Sequence, residues 1–249
     1  MSSLTRMLGV LDLFTADKPA WTAEEIAARL DYTLASVYRY ARELCETGLL
    51  RGGEGATFVL GARIIELDFQ MRNGDPLIRA ARGAMRRLAA AAGCDLVLAT
   101  EYGGHIVTIH HEFGAEGISA SYGRGRRMPL FKGAMSQCLL AALPRARLRK
   151  IYDEADESDE AARDRPEWEA LLERIKTIRR DGHAITCGEL DPELVGIAVP
   201  LVSAPHRVVA SLGFILSRQR FSTTDRAHTV GLLEQCAAQV VALLAVPAG

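Results

Sequence analysis

The sequence has no strong charge of either sign. Its 249 residues carry 30 Lys and Arg against 31 Asp and Glu, a formal net charge of −1. No global basic field therefore announces a nucleic acid. Cysteine is sparse and scattered: Cys45, Cys94, Cys138, Cys187 and Cys236 include no C-x-x-C pair. That argues against a zinc site or a disulfide framework and fits a reducing cytosol. The opening "MSSLTRMLGVLDLF" is amphipathic and lacks a continuous apolar stretch, so no secretory leader is expected. No run is read as a membrane span, and the alanine-rich Val240–Val246 reads as the end of a packed helix. There is no G-x-S-x-G elbow and no G-x-x-x-x-G-K-[ST] loop. No catalytic residue, cofactor or metal is assigned, and no internal repeat is found. What is present in quantity is hydrophobic residues, 49% of the chain, enough for the cores of one large domain or two ordinary ones.

Leu4, Leu8, Leu11 and Phe14 recur at helical spacing and predict a first helix over 4–16. "DKPAWT" reads as a turn. Thr22 followed by Glu25 is a capping-box pattern, and Ile26, Ala27 and Leu30 supply the inner face of a short second helix. After a tight connection at Asp31 and Tyr32, Thr33 can cap a third helix with Val37, Ala41 and Leu44 inside. Gly48 ends it. Leu49–Leu50 and Thr57–Leu60 predict a hairpin with Gly52, Gly53 and Gly55 at its tip. Three helices and a hairpin in residues 1–60 make a winged helix-turn-helix. Residues 61–75 read as a linker helix carrying Ile64, Ile65 and Phe69, interrupted by "NGDP".

From residue 76 to 249 the pattern is that of a second domain. Leu77, Met85 and Leu88 mark a helix. "CDLVLATEYGGHIVTIHHEF" reads as two strands around a Gly-Gly turn, "ISASYGRGRRMPLFKG" as a third strand and a loop, and "AMSQCLLAALP" as a helix stopped by Pro144. Residues 145–180 predict two solvated helices around an unstructured centre, "DEADESDEAARDRP". Two further strand segments and a helix over 224–245 complete a mixed sheet flanked by helices, an α+β sensor-type domain.

The third helix is expected to present Thr33, Leu34, Ser36, Tyr38, Arg39 and Tyr40 to DNA, with Arg51 on the wing near the phosphates. Any surface helix can carry such residues; it is their order, between a short helix and a hairpin, that favours DNA. Residues 1–60 hold six Lys and Arg against eight Asp and Glu, so phosphate affinity is local, and dimerisation is the natural remedy. In the second domain Arg124, Arg126, Arg127 and Lys132 precede a helix start, where free N–H groups favour an anion. Each arginine taken singly suits solvent or a neighbouring subunit better than a ligand. Met128 and the small Gly133 and Ala134 stand where a ligand could approach. Phe131, Met135, Val195, Ile197 and Phe214 suit an apolar ligand wall or a core. "HIVTIHHE" offers at most one His and one Glu per strand face, a weak metal set.

"RMLGVLDLFTADKPAWTAEEIAARL", "YRYARELCETGLL" and "FVLGARIIELD" resemble the N-terminal domain of the IclR family of bacterial transcription regulators. "GRRMPLFKGAMSQCLLAALP" and "GIAVPLV…VVASLGFILS" resemble its C-terminal domain. The resemblance implies a winged helix-turn-helix, a linker helix and a GAF-like effector-binding α/β domain. It also implies a cytoplasmic homodimer, often paired into a homotetramer, that binds a double-stranded promoter palindrome and responds to a small molecule. Two departures stand out. The family's "PKST" is here "TLAS", Thr33–Ser36. Its acidic and hydroxyl ligand positions are here Thr186, Gly213 and Ile215. The second departure implies an organic acid with an apolar or aromatic body, its carboxylate facing the amides of Gly133–Met135. An enzyme or a protein-interaction module built on the second domain stays open as the alternative.

Overall fold

The computed structural model describes residues 2–115, 118, 120–155, 164–204 and 208–245. The chain divides into two compact units, Met1–Asp75 and Pro76–Gly249.

In the first unit α1 (Ser3–Gly9) tightens into a 3-10 turn, Val10–Leu13, and stops short of the expected residue 16. The reason is Trp21, whose indole N–H donates to the Leu13 carbonyl at 2.9 Å and takes the acceptor that a longer helix would use. The segment read as a turn is a strand, β1 (Ala20–Thr22), and it adds a third member to the wing sheet. Thr22 then caps α2 (Ala23–Leu30) in a full capping box with Glu25. Asp31, in the left-handed region at φ 54°, turns the chain into α3 (Leu34–Glu46), which Thr33 caps. β2 (Leu50–Gly52) and β3 (Thr57–Leu60) form the wing, in the order β1-β3-β2, all antiparallel. Val10, Ile26, Val37, Tyr40, Leu44 and Leu50 make the core of this unit. α4 (Arg63–Gly74) follows and buries none of its residues.

The second unit is a six-stranded sheet between two helical layers. Its strands are β4 (Asp95–Tyr102), β5 (His105–Glu112), β6 (Arg127–Met128), β7 (Ala184–Cys187), β8 (Leu194–Ser203) and β9 (Val208–Ser217), in the order β6-β5-β4-β9-β8-β7. Among the described residues every pairing is antiparallel, so the expected mixed sheet is corrected. The physical reason is local: β4–β5 and β8–β9 are hairpin-like neighbours, and β4 closes the sheet against β9. The third strand expected from "ISASY" is reduced to β6, because the chain turns at Gly123–Gly125 before pairing with β5. Ile118 and Ala120 lie outside any strand. The centre of the charged segment, residues 156–163, lies outside the described residues.

On one face pack α5 (Pro76–Ala92) and α10 (Arg226–Leu244), with Ala81, Met85, Leu233 and Val240 against Leu98, Ile197, Leu212 and Phe214. On the other lie α6 (Ala134–Ala142), α7 (Arg145–Glu154) and α8 (Trp168–Asp181), with Leu139, Ile151 and Ile175 in a second core. A short α9 (Arg218–Thr223) links β9 to α10. By length and composition α10 could cross a membrane. Here it packs as a core helix, with Leu233 and Val240 fully buried.

One backbone contact sets the wing. The Gly61 N–H donates to Leu49 O at 2.8 Å, and a Cβ on Gly61 would lie 2.0 Å from Gly48 O. Gly61→Ala is therefore expected to cost about 1–3 kcal/mol by overpacking. Thr22→Ala, which loses the box, is expected to cost about 1 kcal/mol. Urea unfolding of the full chain measures both.

Candidate functional sites

On α3 the 3.6-residue repeat sorts the expected DNA-facing residues into two groups. Thr33, Leu34, Tyr38 and Arg39 are exposed, and Arg51 is exposed on the wing. Ser36 is half-buried, and its hydroxyl accepts from the Thr33 hydroxyl at 3.0 Å. Tyr40 is the correction: it points inward, 4% exposed, its hydroxyl 3.3 Å from Ser3 Oγ. It lies one turn beyond Val37 and beside Ala41, on the face that meets α1. Its ring edge packs on Tyr32, and Arg39 lies over it at 5.2 Å. The open surface of α3 is thus Leu34, Ala35, Tyr38 and Arg39, followed by Glu43 and by Arg42 in an exposed pair with Glu46. Ala35 and Arg42 were not singled out from sequence, although the helical repeat places them there.

The second site is a small pocket, partly open to solvent, between the sheet and the start of α6. Of the expected residues, Met128, Ala134 and Met135 line it. Val195 and Phe214 also border it, but strand alternation turns their side chains away. Their neighbours face α6: a Cβ on Gly196 would meet Ala134 Cβ at 3.3 Å, and Ile215 packs in the α6 core. Val195, Ile197 and Phe214 belong instead to the α5–α10 core, with Phe214 1% exposed. Phe131 is buried edge-on against Tyr152 and lies outside the lining, as does Lys132, which pairs with Asp164 at 2.7 Å. Arg124, Arg126 and Arg127 are absent from the lining too; Arg124 donates to Ile109 O at 2.8 Å.

Residues the sequence had not assigned add to the wall, among them Tyr122, Leu190, Gly196 and Ile215, with Thr186, Glu189 and Asp191 as polar members. Thr186 and Ile215 had been noticed only as departures from a family pattern. The start of α6 is already occupied. Gly133 N–H donates to Glu189 Oε2 at 2.8 Å, Gln137 Nε2 to the same oxygen at 2.8 Å, and Ala134 N–H to Thr186 Oγ1 at 3.0 Å. The signal for Glu189 was "CGELD", where Gly188 at φ +68° forms a turn just before β8.

The histidines of β5 are paired. His110 Nε2 lies 2.8 Å from Glu112, and His111 Nε2 lies 2.9 Å from the buried Asp95. Burial pushes the His110 pKa down against the opposing pull of Glu112. Among the described residues no three His, Cys, Asp or Glu are grouped to hold a metal.

The side-chain alternation has a direct check. Phe214→Ala is expected to cost about 3–5 kcal/mol, the range for a buried aromatic. Ile215→Ala, which borders an existing cavity, is expected to cost less. Equal losses in denaturant unfolding would show that the two strand faces have been exchanged.

Comparison with known proteins places both units. Residues 3–53 match the model described as "IclR helix-turn-helix domain", and residues 70–242 match "Bacterial transcriptional regulator IclR C-terminal". The Pca regulon regulatory protein of Pseudomonas putida is 29% identical over 85% of this chain and 73% of its own length. The HTH-type transcriptional regulator KdgR of Escherichia coli is 25% identical over 97% of this chain and 92% of its own. A crystal structure of an IclR homologue from Microbacterium hydrocarbonoxydans, complexed with 4-hydroxybenzoate, shares the fold with a TM-score of 0.75 at 23% identity, covering 98% of this chain and 99% of that one.

Proposed function

The chain belongs to the IclR family of bacterial transcription regulators, and from that premise we propose that residues 1–60 read a double-stranded operator while residues 76–249 hold a small-molecule effector. It is a transcription regulator, like the relatives it matches, and not an enzyme. The observation that carries the reading is the exposed, Thr33-capped start of α3 beside a short wing. Leu34, Tyr38 and Arg39 meet base edges in the major groove, and Thr33, Ser36 and Arg51 meet the backbone. Tyr40 supports the helix from behind. The effector is a small organic molecule with an apolar body, lodged between Met135, Ile215 and Leu190. A metabolic operon as target is supported by the Pca regulon relative and by the aromatic ligand of the Microbacterium homologue.

The protein acts in the cytoplasm as a homodimer, and two dimers pair as a tetramer. Support comes from α4, where Ile65 is 73% and Phe69 67% exposed, with Leu67 and Met71 also in the open. α1 adds exposed Leu4 and Leu8. Apolar residues in that density on two helices need a covering partner, and the linker helix has one in a second copy.

A gel-shift with the protein's own upstream region tests the DNA reading; no specific, salt-sensitive retention would favour a protein-interaction module. Arg39→Ala is expected to weaken operator binding by about 1–3 kcal/mol per half-site and to relax specificity at one position. Arg51→Ala should weaken all sequences alike. Footprints identical to the parent in both variants would remove α3 from the interface.

Ile65→Asp is expected to dissociate the dimer in sedimentation and so to lower operator affinity without altering the reading face. An unchanged assembly would count against α4 as the dimer helix.

A further inference from the structure

The exposed front of α3 is apolar. Leu34, Ala35 and Tyr38 stand in its first two turns, Leu34 45% and Tyr38 54% exposed. Leu34 and Tyr38 lie four apart and Ala35 and Tyr38 three apart, so the three share one face of the helix. None of them enters the core of the first unit, to which α3 contributes Val37, Tyr40 and Leu44 from its other face.

The polar groups around this face are engaged with the protein itself. Ser36 N–H donates to Thr33 Oγ1 at 3.3 Å, and the Thr33 hydroxyl donates to Ser36 Oγ at 3.0 Å. The Tyr38 hydroxyl is drawn to Glu24 Oε1 of α2 at 3.5 Å, while its ring stays exposed. The Arg39 guanidinium lies back over the Tyr40 ring at 5.2 Å, and Arg42 is paired with Glu46. A groove that receives the start of α3 therefore meets carbon before it meets a donor or an acceptor. Base edges differ in how they answer that. In the major groove guanine, adenine and cytosine present hydrogen-bonding groups, whereas thymine adds a C5 methyl. An apolar side chain set against a polar edge strips its water and gives no bond in return. Set against the methyl, it removes apolar surface of both partners from water.

We infer that α3 selects thymine in each operator half-site through its C5 methyl, with Leu34 and Tyr38 as the side chains that close on it and the small Ala35 between them leaving room for the approach. The inference rests on the operator reading proposed above and names the base which that surface prefers. Uracil keeps every hydrogen-bonding group of thymine and lacks only the methyl, so a single exchange isolates the contact.

The probe is a pool of random DNA duplexes, selected on the full-length protein at fixed salt, since phosphate contacts make every affinity salt-dependent. The enriched site is then synthesised with uracil in place of thymine, one position at a time, and binding is followed by fluorescence anisotropy. At one or more thymines of each half-site, loss of the methyl is expected to weaken binding about four-fold, the equilibrium factor for burying one such carbon group. That factor should fall toward one in Leu34→Ala, in Tyr38→Ala or in both. It should persist in Arg51→Ala, where all sequences bind more weakly. An enriched site without thymine in its half-sites, uracil bound as tightly as thymine at every position, or an unchanged factor in both α3 variants would each overturn the inference and leave the DNA reading standing. No enriched sequence at all would remove the DNA reading, and the inference with it.

Discussion

The close approach of α6 to the centre of the sheet is the constraint on which the second unit depends. Two glycines permit it. A Cβ on Gly213 would stand 2.5 Å from Met135 Sδ and 2.6 Å from Ile197 O, and one on Gly196 would crowd Ala134. With no side chains there, the start of α6 lies almost on β8 and β9. The same two positions leave the neighbouring side chains, Ile197 and Phe214, wholly to the opposite layer. One periodicity thus builds a dry core on one face and brings a helix N-terminus against main chain on the other.

Much of the first unit was legible because its signals are local. Thr22 with Glu25, Thr33 and Gly48 mark helix ends by chemistry confined to a few residues, and each does so in the structure. The failures there come from contacts across the chain. Trp21 reaches back to Leu13 and ends α1 early, and β1 exists only because β3 lies beside it. Tyr40 was misplaced although it falls three residues after Val37 and four before Leu44, on the inner stripe; what the repeat could not show is that its hydroxyl meets Ser3 of α1.

The cavity was legible only as a neighbourhood. The "FKGAMS" start of α6 was recognised, and Met128, Ala134 and Met135 do line the space. Phe214 and Ile215 differ by one residue, and in a strand one residue is the difference between the two faces. A segment buried on both sides has no polar alternation to settle which is which. Glu189 lies 56 positions from Gly133, and nothing near either residue in sequence shows that they meet.

Tyr40 has a mechanical consequence. Its hydroxyl touches Ser3 at the head of α1, Arg6 stacks over Tyr32 at 4.1 Å, and Tyr32 packs on Tyr40. α1 is therefore clasped to the back of α3 through aromatic rings, while its other side shows Leu4 and Leu8 to the outside. Whatever covers those leucines therefore rests on a helix whose opposite side is joined to α3 through two edge-packed rings and a hydroxyl pair.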